Sequence, residues 1–150
     1  MRVINQAGID LIKKYEGFRA SPYLCPAGIP TIGYGATFYP SGRKVSIKDN
    51  PITEAEAQSM LIDHLKEFVG HVNRYTADTK LTDNQFAALV SFAYNVGVGA
   101  LQKSTLLKKV NKNPLDPSIP AEFKRWAFAN GKILQGLLKR RTEEAKLFVS

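Results

Sequence analysis

The chain has 150 residues, 44% of them hydrophobic, which excludes a disordered chain and fits one domain or two small lobes around a shared core. Its net charge of +8 is lopsided: residues 1–100 carry ten Lys/Arg and nine Asp/Glu, whereas residues 101–150 carry eleven and four. Such a distribution attracts polyanions (nucleic acid, anionic lipid or anionic wall polymer) or serves as a solubilising face. No apolar run approaches the roughly 18 residues of a membrane span, and Cys25, the single cysteine, rules out an internal disulfide.

The opening "MRVINQAGIDLIKKYEG" has no uninterrupted apolar core, because Asp10 and Lys13 break it, so no classical secretion signal is expected. Residues 5–15 read as a short helix with Ile9 and Ile12 on one face, Asn5 as a cap and Gly17 as the stop. Pro22, Pro26, Gly28, Pro30, Gly33, Gly35, Pro40 and Gly42 then punctuate "PYLC", "PTIGYG" and "RKVSI". Those β-branched and aromatic runs predict a small twisted antiparallel sheet with tight turns.

From Thr53 the period changes. "TEAE" is a capping box, and Ala57, Met60, Leu61, Leu65, Phe68, Val69 and Val72 follow at helical spacing to about Tyr75. "TDNQ" is a second capping box opening the apolar helix "FAALVSFAYNVG", which Gly97 and Gly99 stop. Another helix is expected around Ser104 to Val110, and then a proline-rich loop, "NPLDPSIP". Pro120 suits the first turn of a helix carrying Phe123, Trp126 and Phe128, and an amphipathic helix near Leu137 to Val149 closes the chain. The fold class expected is α+β: a hairpin lobe at about 15–52, a connecting helix at 53–78, and a helical lobe at 79–150 packed with the N-terminal helix 5–15. Together they form a single domain, and a cleft between such lobes is a natural ligand site.

The chemistry-bearing residues concentrate in "YEGFRASPYLCPAGIPT". Glu16 ends a helix, where the negative end of the dipole disfavours a carboxylate and suits a proton donor. A hairpin turning over Pro26 to Pro30 sets Cys25 opposite Thr31, both across from Glu16. The bland alternative is an exposed Glu, a packed Cys and a cross-strand Thr.

The order Glu16, eight residues, Cys25, five residues, Thr31 resembles the catalytic motif of the phage-type lysozymes, the endolysins of glycoside hydrolase family 24. "EGFRASPYLCPAGIPTIGYGAT" is similar to that family's active-site hairpin, "ITEAEAQSML" to its connecting helix, and "TDNQFAALVSFAYNVG" and "STLLKKVN" to its core helices. "GKILQGLLKRRTEEAKLF" is similar to its C-terminal signature. The resemblance implies a lysozyme-like fold and hydrolysis of the β-1,4 bond between N-acetylmuramic acid and N-acetylglucosamine in peptidoglycan. Glu16 would protonate the leaving oxygen, the residue at 25 would activate or place water, and Thr31 would hold that water.

Glycosidases commonly use two carboxylates, and inverting ones separate them to admit a water. Here a thiol takes the second place, as it does in part of the family, so Cys25 can act as base, water positioner or nucleophile. The family also pairs a C-terminal arginine with the catalytic Glu. Arg141, on the stripe with Leu137, Ala145 and Val149, is the first candidate, and Arg140, four before Glu144 and suited to a surface pair, is the second. Tyr94 and Ser104 match positions lining the family's sugar cleft, Thr37 and Trp126 more loosely, with core packing as the other reading of Tyr94 and Trp126.

No cofactor is implied. His64 and His71, seven apart on the connecting helix, read as surface residues, since a metal site needs further ligands. The expected partner is the peptidoglycan glycan strand, with the protein a monomer, no nucleic acid and no stable membrane insertion. An endolysin without a signal would accumulate in the host cytoplasm until a holin opens the membrane, then reach the periplasm and wall. Two rivals stay open: a lytic transglycosylase, which cleaves the same bond with one acid and leaves 1,6-anhydro ends, and a non-catalytic basic protein that binds polyanions through residues 101–150.

Overall fold

The structure, a computed structural model, describes all of residues 1–150. In chain order it has α1 (Gln6–Glu16), β1 (Arg19–Leu24), β2 (Pro30–Gly33), α2 (Glu54–Tyr75), α3 (Asp83–Val96), α4 (Val98–Lys103), α5 (Thr105–Lys112) and α6 (Ile119–Lys124). A 3₁₀ turn (Arg125–Ala127), β3 (Phe128–Ala129), β4 (Lys132–Ile133) and α7 (Gln135–Val149) complete it. The chain divides into two compact units, Ile12–Lys66 and Met1–Leu11 with Glu67–Ser150. The division falls inside α1 and inside α2, so each of these helices contributes to both units.

In the Ile12–Lys66 unit, β1 and β2 form an antiparallel pair with Tyr23 opposite Thr31 and Leu24 opposite Pro30. The expected third strand, "RKVSI", does not form. It contributes an isolated bridge from Lys44 to Phe38, with the Val45 N–H to Thr37 carbonyl and Tyr39 N–H to Arg43 carbonyl bonds both at 2.9 Å. Gly35 (φ +90°) and Gly42 (φ +91°) turn the chain too soon for a longer ladder. Asp49 secures this loop by accepting the Tyr39 phenol at 2.6 Å and the Ser46 N–H at 2.8 Å. Ile32, Val45 and Met60 form a buried cluster with Ala36, Tyr39 and Ile52 against it. The first capping box holds: the Glu56 N–H bonds the Thr53 hydroxyl at 3.1 Å, and Glu56 Oε1 accepts the Thr53 N–H at 3.2 Å.

In the other unit, α3 packs against α7 and α7 against α6. Phe86, Phe92, Phe123 and Phe148 are buried there, with Phe92 and Phe123 edge to face at 5.6 Å. The Thr82–Gln85 capping box opens α3. Gly97 ends it with φ +100°, whereas Gly99 lies inside the short α4 rather than stopping a helix. Asn5 caps α1 by accepting the Gly8 N–H at 3.0 Å, and a Cβ on Gly8 would stand 2.8 Å from that of Ala87. The start of the chain is tied down by Arg2, which exchanges backbone bonds with the Asn73 side chain at 3.2 and 2.9 Å.

The helix expected to carry Phe123, Trp126 and Phe128 stops at Lys124. Trp126 has non-helical backbone (φ −91°, ψ 29°), and Asn130 and Gly131 both take positive φ. That Asn-Gly pair makes a two-residue hairpin turn, and Phe128 pairs with Ile133 across it.

Candidate active site

Glu16 is the last residue of α1 and is half-buried. The Gly17 N–H bonds the Lys13 carbonyl at 3.0 Å and Gly17 takes φ +74°, so the chain leaves the helix directly after the carboxylate. The turn after β2 passes beside it: a Cβ on Gly35 would lie 3.7 Å from Glu16 Oε1. Next to that turn, Tyr34 donates to Glu54 Oε1 at 2.8 Å, and Lys13 Nζ lies 2.6 Å from the same oxygen and 2.6 Å from Gln58 Oε1. The Lys13 hydrogen bond, then that of Tyr34, holds the Glu54 carboxyl below its usual range. Burial and the bond to Glu54 push the Tyr34 phenol up. This set joins the end of α1, the turn after β2 and the start of α2.

Cys25 stands at the end of the hairpin, half-buried. Its carbonyl accepts the Gly28 N–H at 2.7 Å, Gly28 takes φ +78°, and the Cys25 N–H bonds the Ile29 carbonyl at 3.1 Å. This is a tight turn followed by a left-handed glycine. The N–H of Ile29 leads in drawing the thiol below its ordinary pKa; partial burial opposes, and the N–H of Ala27 and the Thr31 hydroxyl add to the pull.

Thr31 is buried in β2, and its hydroxyl donates to the Ile29 carbonyl at 2.9 Å. Its cross-strand partner is Tyr23, so Cys25 is not opposite Thr31 as the spacing suggested. It pairs through Ile29 and meets Thr31 on the diagonal of the same face. Thr37 is half-buried and lines a pocket of about 170 Å³ with Phe38, Tyr39, Met60, Asp63 and His64.

The remaining residues singled out lie in the other unit. Tyr94 is half-buried, edge to face with Phe68 at 5.1 Å. Ser104 caps α5: it accepts the Leu107 N–H at 3.0 Å and donates to the Leu101 carbonyl at 2.7 Å. Trp126 stands edge to face on Phe92 at 5.6 Å. Ser104 and Trp126 share a groove of about 330 Å³ with Lys103, Thr105, Glu122 and Arg125. His71, read from sequence as a surface residue, is half-buried, 2.8 Å from Arg74.

The carboxylate that Arg141 meets is Glu144, at 2.6 Å. Glu144 also accepts the Ser91 hydroxyl at 2.6 Å, and Arg140 Nε lies 3.5 Å from it. The Arg140–Glu144 pair suggested by the spacing therefore forms, but it is buried rather than at the surface. The Arg141 guanidinium also stands over the Phe92 ring, 5.1 Å from its centroid. Burial pushes the Glu144 carboxyl up and the Arg141 guanidinium down, each against the attraction of the other. Sequence reasoning missed Ser91 and the burial of Glu144, and missed Gly35 as a neighbour of Glu16. The signals were present: Glu144 lies three residues after Arg141, on the same helix face, and Gly35 closes "PTIGYG".

Seven helices with a small antiparallel hairpin make an α+β, lysozyme-like fold. The chain belongs to the phage lysozyme family, whose model matches residues 13–144. It is 43% identical over 152 residues to the endolysin of Bacillus phage PZA, covering 98% of this chain and 55% of that protein. The chain thus spans about half the length of the two Bacillus phage endolysins it matches. Among solved structures it is similar to the muramidase domain of SpmX from Asticaccaulis excentricus, with TM-score 0.85, 35% identity, and coverage of 100% of this chain and 99% of that one. It is also similar to a point mutant of P22 lysozyme, with TM-score 0.87, 32% identity and full coverage of both chains.

Proposed function

We propose that this protein is an endolysin that hydrolyses the β-1,4 bond between N-acetylmuramic acid and N-acetylglucosamine in bacterial peptidoglycan. The observation that carries the reading is the hairpin register, which sets Cys25 and Thr31 on one face, in the same unit as the half-buried Glu16 carboxylate at the end of α1. Glu16 protonates the glycosidic oxygen as the bond breaks. Cys25, drawn toward thiolate, takes or orients the proton of a water that attacks the anomeric carbon from the opposite face, inverting it. Thr31 holds that water or the thiolate. Thr37, Tyr94, Ser104 and Trp126 bind sugar. Family membership and the similarity to endolysins and a muramidase domain support the substrate class.

The protein acts as a monomer on the glycan strand, released from the host cytoplasm by a holin. No helix is long and apolar enough to cross a membrane. The test is turbidity loss of purified peptidoglycan with wild type and Glu16→Gln, followed by analysis of the product ends. New reducing ends and an inactive variant are expected. An active Glu16→Gln would sink the acid role, and 1,6-anhydro ends would give the protein to the transglycosylase reading.

A further inference from the structure

The β3–β4 hairpin has an anomalous surface. Phe128 and Ile133 face each other across it, 55% and 49% exposed, and Leu134 beside them is 45% exposed. Only two residues pair on each strand, and no third strand adds to them. From Phe123 to Thr142 the chain has no acidic residue. Lys124, Arg125, Lys132 and Lys139 are exposed in that stretch, while Arg140 and Arg141 are buried against Glu144. Glu122, just upstream, is taken up by Lys109 at 2.8 Å and Arg125 at 3.0 Å. The Asn130–Gly131 turn sets Lys132 next to the tip.

We infer that this hairpin is a docking surface for an anionic phospholipid bilayer. Large apolar side chains on an exposed hairpin, within a stretch that carries exposed Lys124, Lys132 and Lys139 and no acid from Phe123 to Thr142, match the boundary between headgroups and acyl chains. Phe128 and Ile133 enter that boundary, and the cations meet lipid phosphates, each worth roughly fivefold in partitioning. A phosphate-bearing wall polymer would use the cations but gives no reason for the Phe128–Ile133 pair to face solvent. A neutral glycan would stack on Phe128 but gives no reason for the cations. The contact is peripheral, because no helix here can span a bilayer.

The test is co-sedimentation of the full chain with vesicles of phosphatidylcholine plus phosphatidylglycerol, against phosphatidylcholine alone. Binding to the anionic vesicles is expected, with a blue-shifted reporter in Phe128→Trp. Phe128→Ser with Ile133→Ser should lose that binding about tenfold or more while still clearing purified peptidoglycan. Lys132→Glu with Lys124→Glu, which leaves the apolar pair intact, should weaken binding as well. Equal binding to neutral and anionic vesicles overturns the inference, as does an emission at position 128 that stays water-like on bound vesicles. A serine double variant that keeps its vesicle binding but no longer sediments with purified peptidoglycan assigns the hairpin to the wall and overturns it too.

Discussion

Cys25 and Thr31 meet on the diagonal of a hairpin rather than face to face. Tyr23 occupies the place opposite Thr31, and Ile29 the place opposite Cys25. The Thr31 hydroxyl donates to the Ile29 carbonyl at 2.9 Å, yet it also stabilises the thiolate. One proton cannot serve both acceptors well, so ionisation of Cys25 draws the hydroxyl toward sulfur. Thr31→Val removes that donor and leaves the backbone N–H groups of Ile29 and Ala27 in place. The alkylation rate of Cys25 against pH should then show its midpoint moved upward, though still below that of a free thiol. An unmoved midpoint would mean that Thr31 does not act on the sulfur.

The lowered thiol pKa also predicts how stability depends on pH. In the unfolded chain Cys25 titrates at its higher, ordinary value. The folded state therefore gains from the thiolate above that value and loses the gain as pH falls through the folded pKa. Compared with Cys25→Ser, the wild type should gain stability as pH rises through that window, read by thermal unfolding at several pH values. For turnover, Cys25→Ser should be strongly impaired, and Cys25→Asp, which restores a carboxylate, should keep much of the activity. If both variants turn over like wild type, Cys25 is packing.

The helices and their caps were legible because they rest on local chemistry. Thr53 with Glu56 and Thr82 with Gln85 each meet across a single turn, and the spacing alone marks them. The order of Glu16, Cys25 and Thr31 was legible as a resemblance, but their geometry was not. The register depends on whether the turn closes on Gly28, and a one-residue difference changes every partner. The hairpin at Asn130–Gly131 was missed although Asn-Gly is a strong turn signal, because Trp126 and Phe128 fit a helical stripe equally well. The burial of Glu144 could not be read from spacing: an acid three or four residues from arginines is most often a surface pair, and only the packing of α7 on α3 takes it out of water.

That burial makes Glu144 the most sensitive charge in the helical unit. It is fully buried, 2.6 Å from both Arg141 Nε and the Ser91 hydroxyl. Glu144→Ala leaves the Arg141 guanidinium inside without its carboxylate. Removing one partner of a buried pair costs about 3–5 kcal/mol, or roughly 6–20 °C in Tm for a chain of this length. Arg141→Met with Glu144→Met removes the 2.6 Å pair and leaves only Arg140, whose contact with Glu144 is the longer one at 3.5 Å, so it should recover part of the loss. A double variant no better than Glu144→Ala would mean that the cost comes from packing rather than from the uncompensated cation.

Gly35 separates backbone strain from an effect on the acid. At φ +90° any side chain is strained, and an alanine Cβ there would stand 3.7 Å from Glu16 Oε1. Gly42 provides the control, since it takes φ +91° and nothing lies within 4 Å of an added Cβ. Both alanine variants should lose about 1–3 kcal/mol of stability, read as similar drops in Tm. Only Gly35→Ala sets a methyl group in contact with the carboxylate, so it should slow peptidoglycan clearing about tenfold or more, since 1.36 kcal/mol in the barrier is already a factor of ten. Gly42→Ala should clear at the wild-type rate below its melting temperature. Equal loss of turnover in the two variants would reduce Gly35 to a turn former and remove it from the surroundings of the acid.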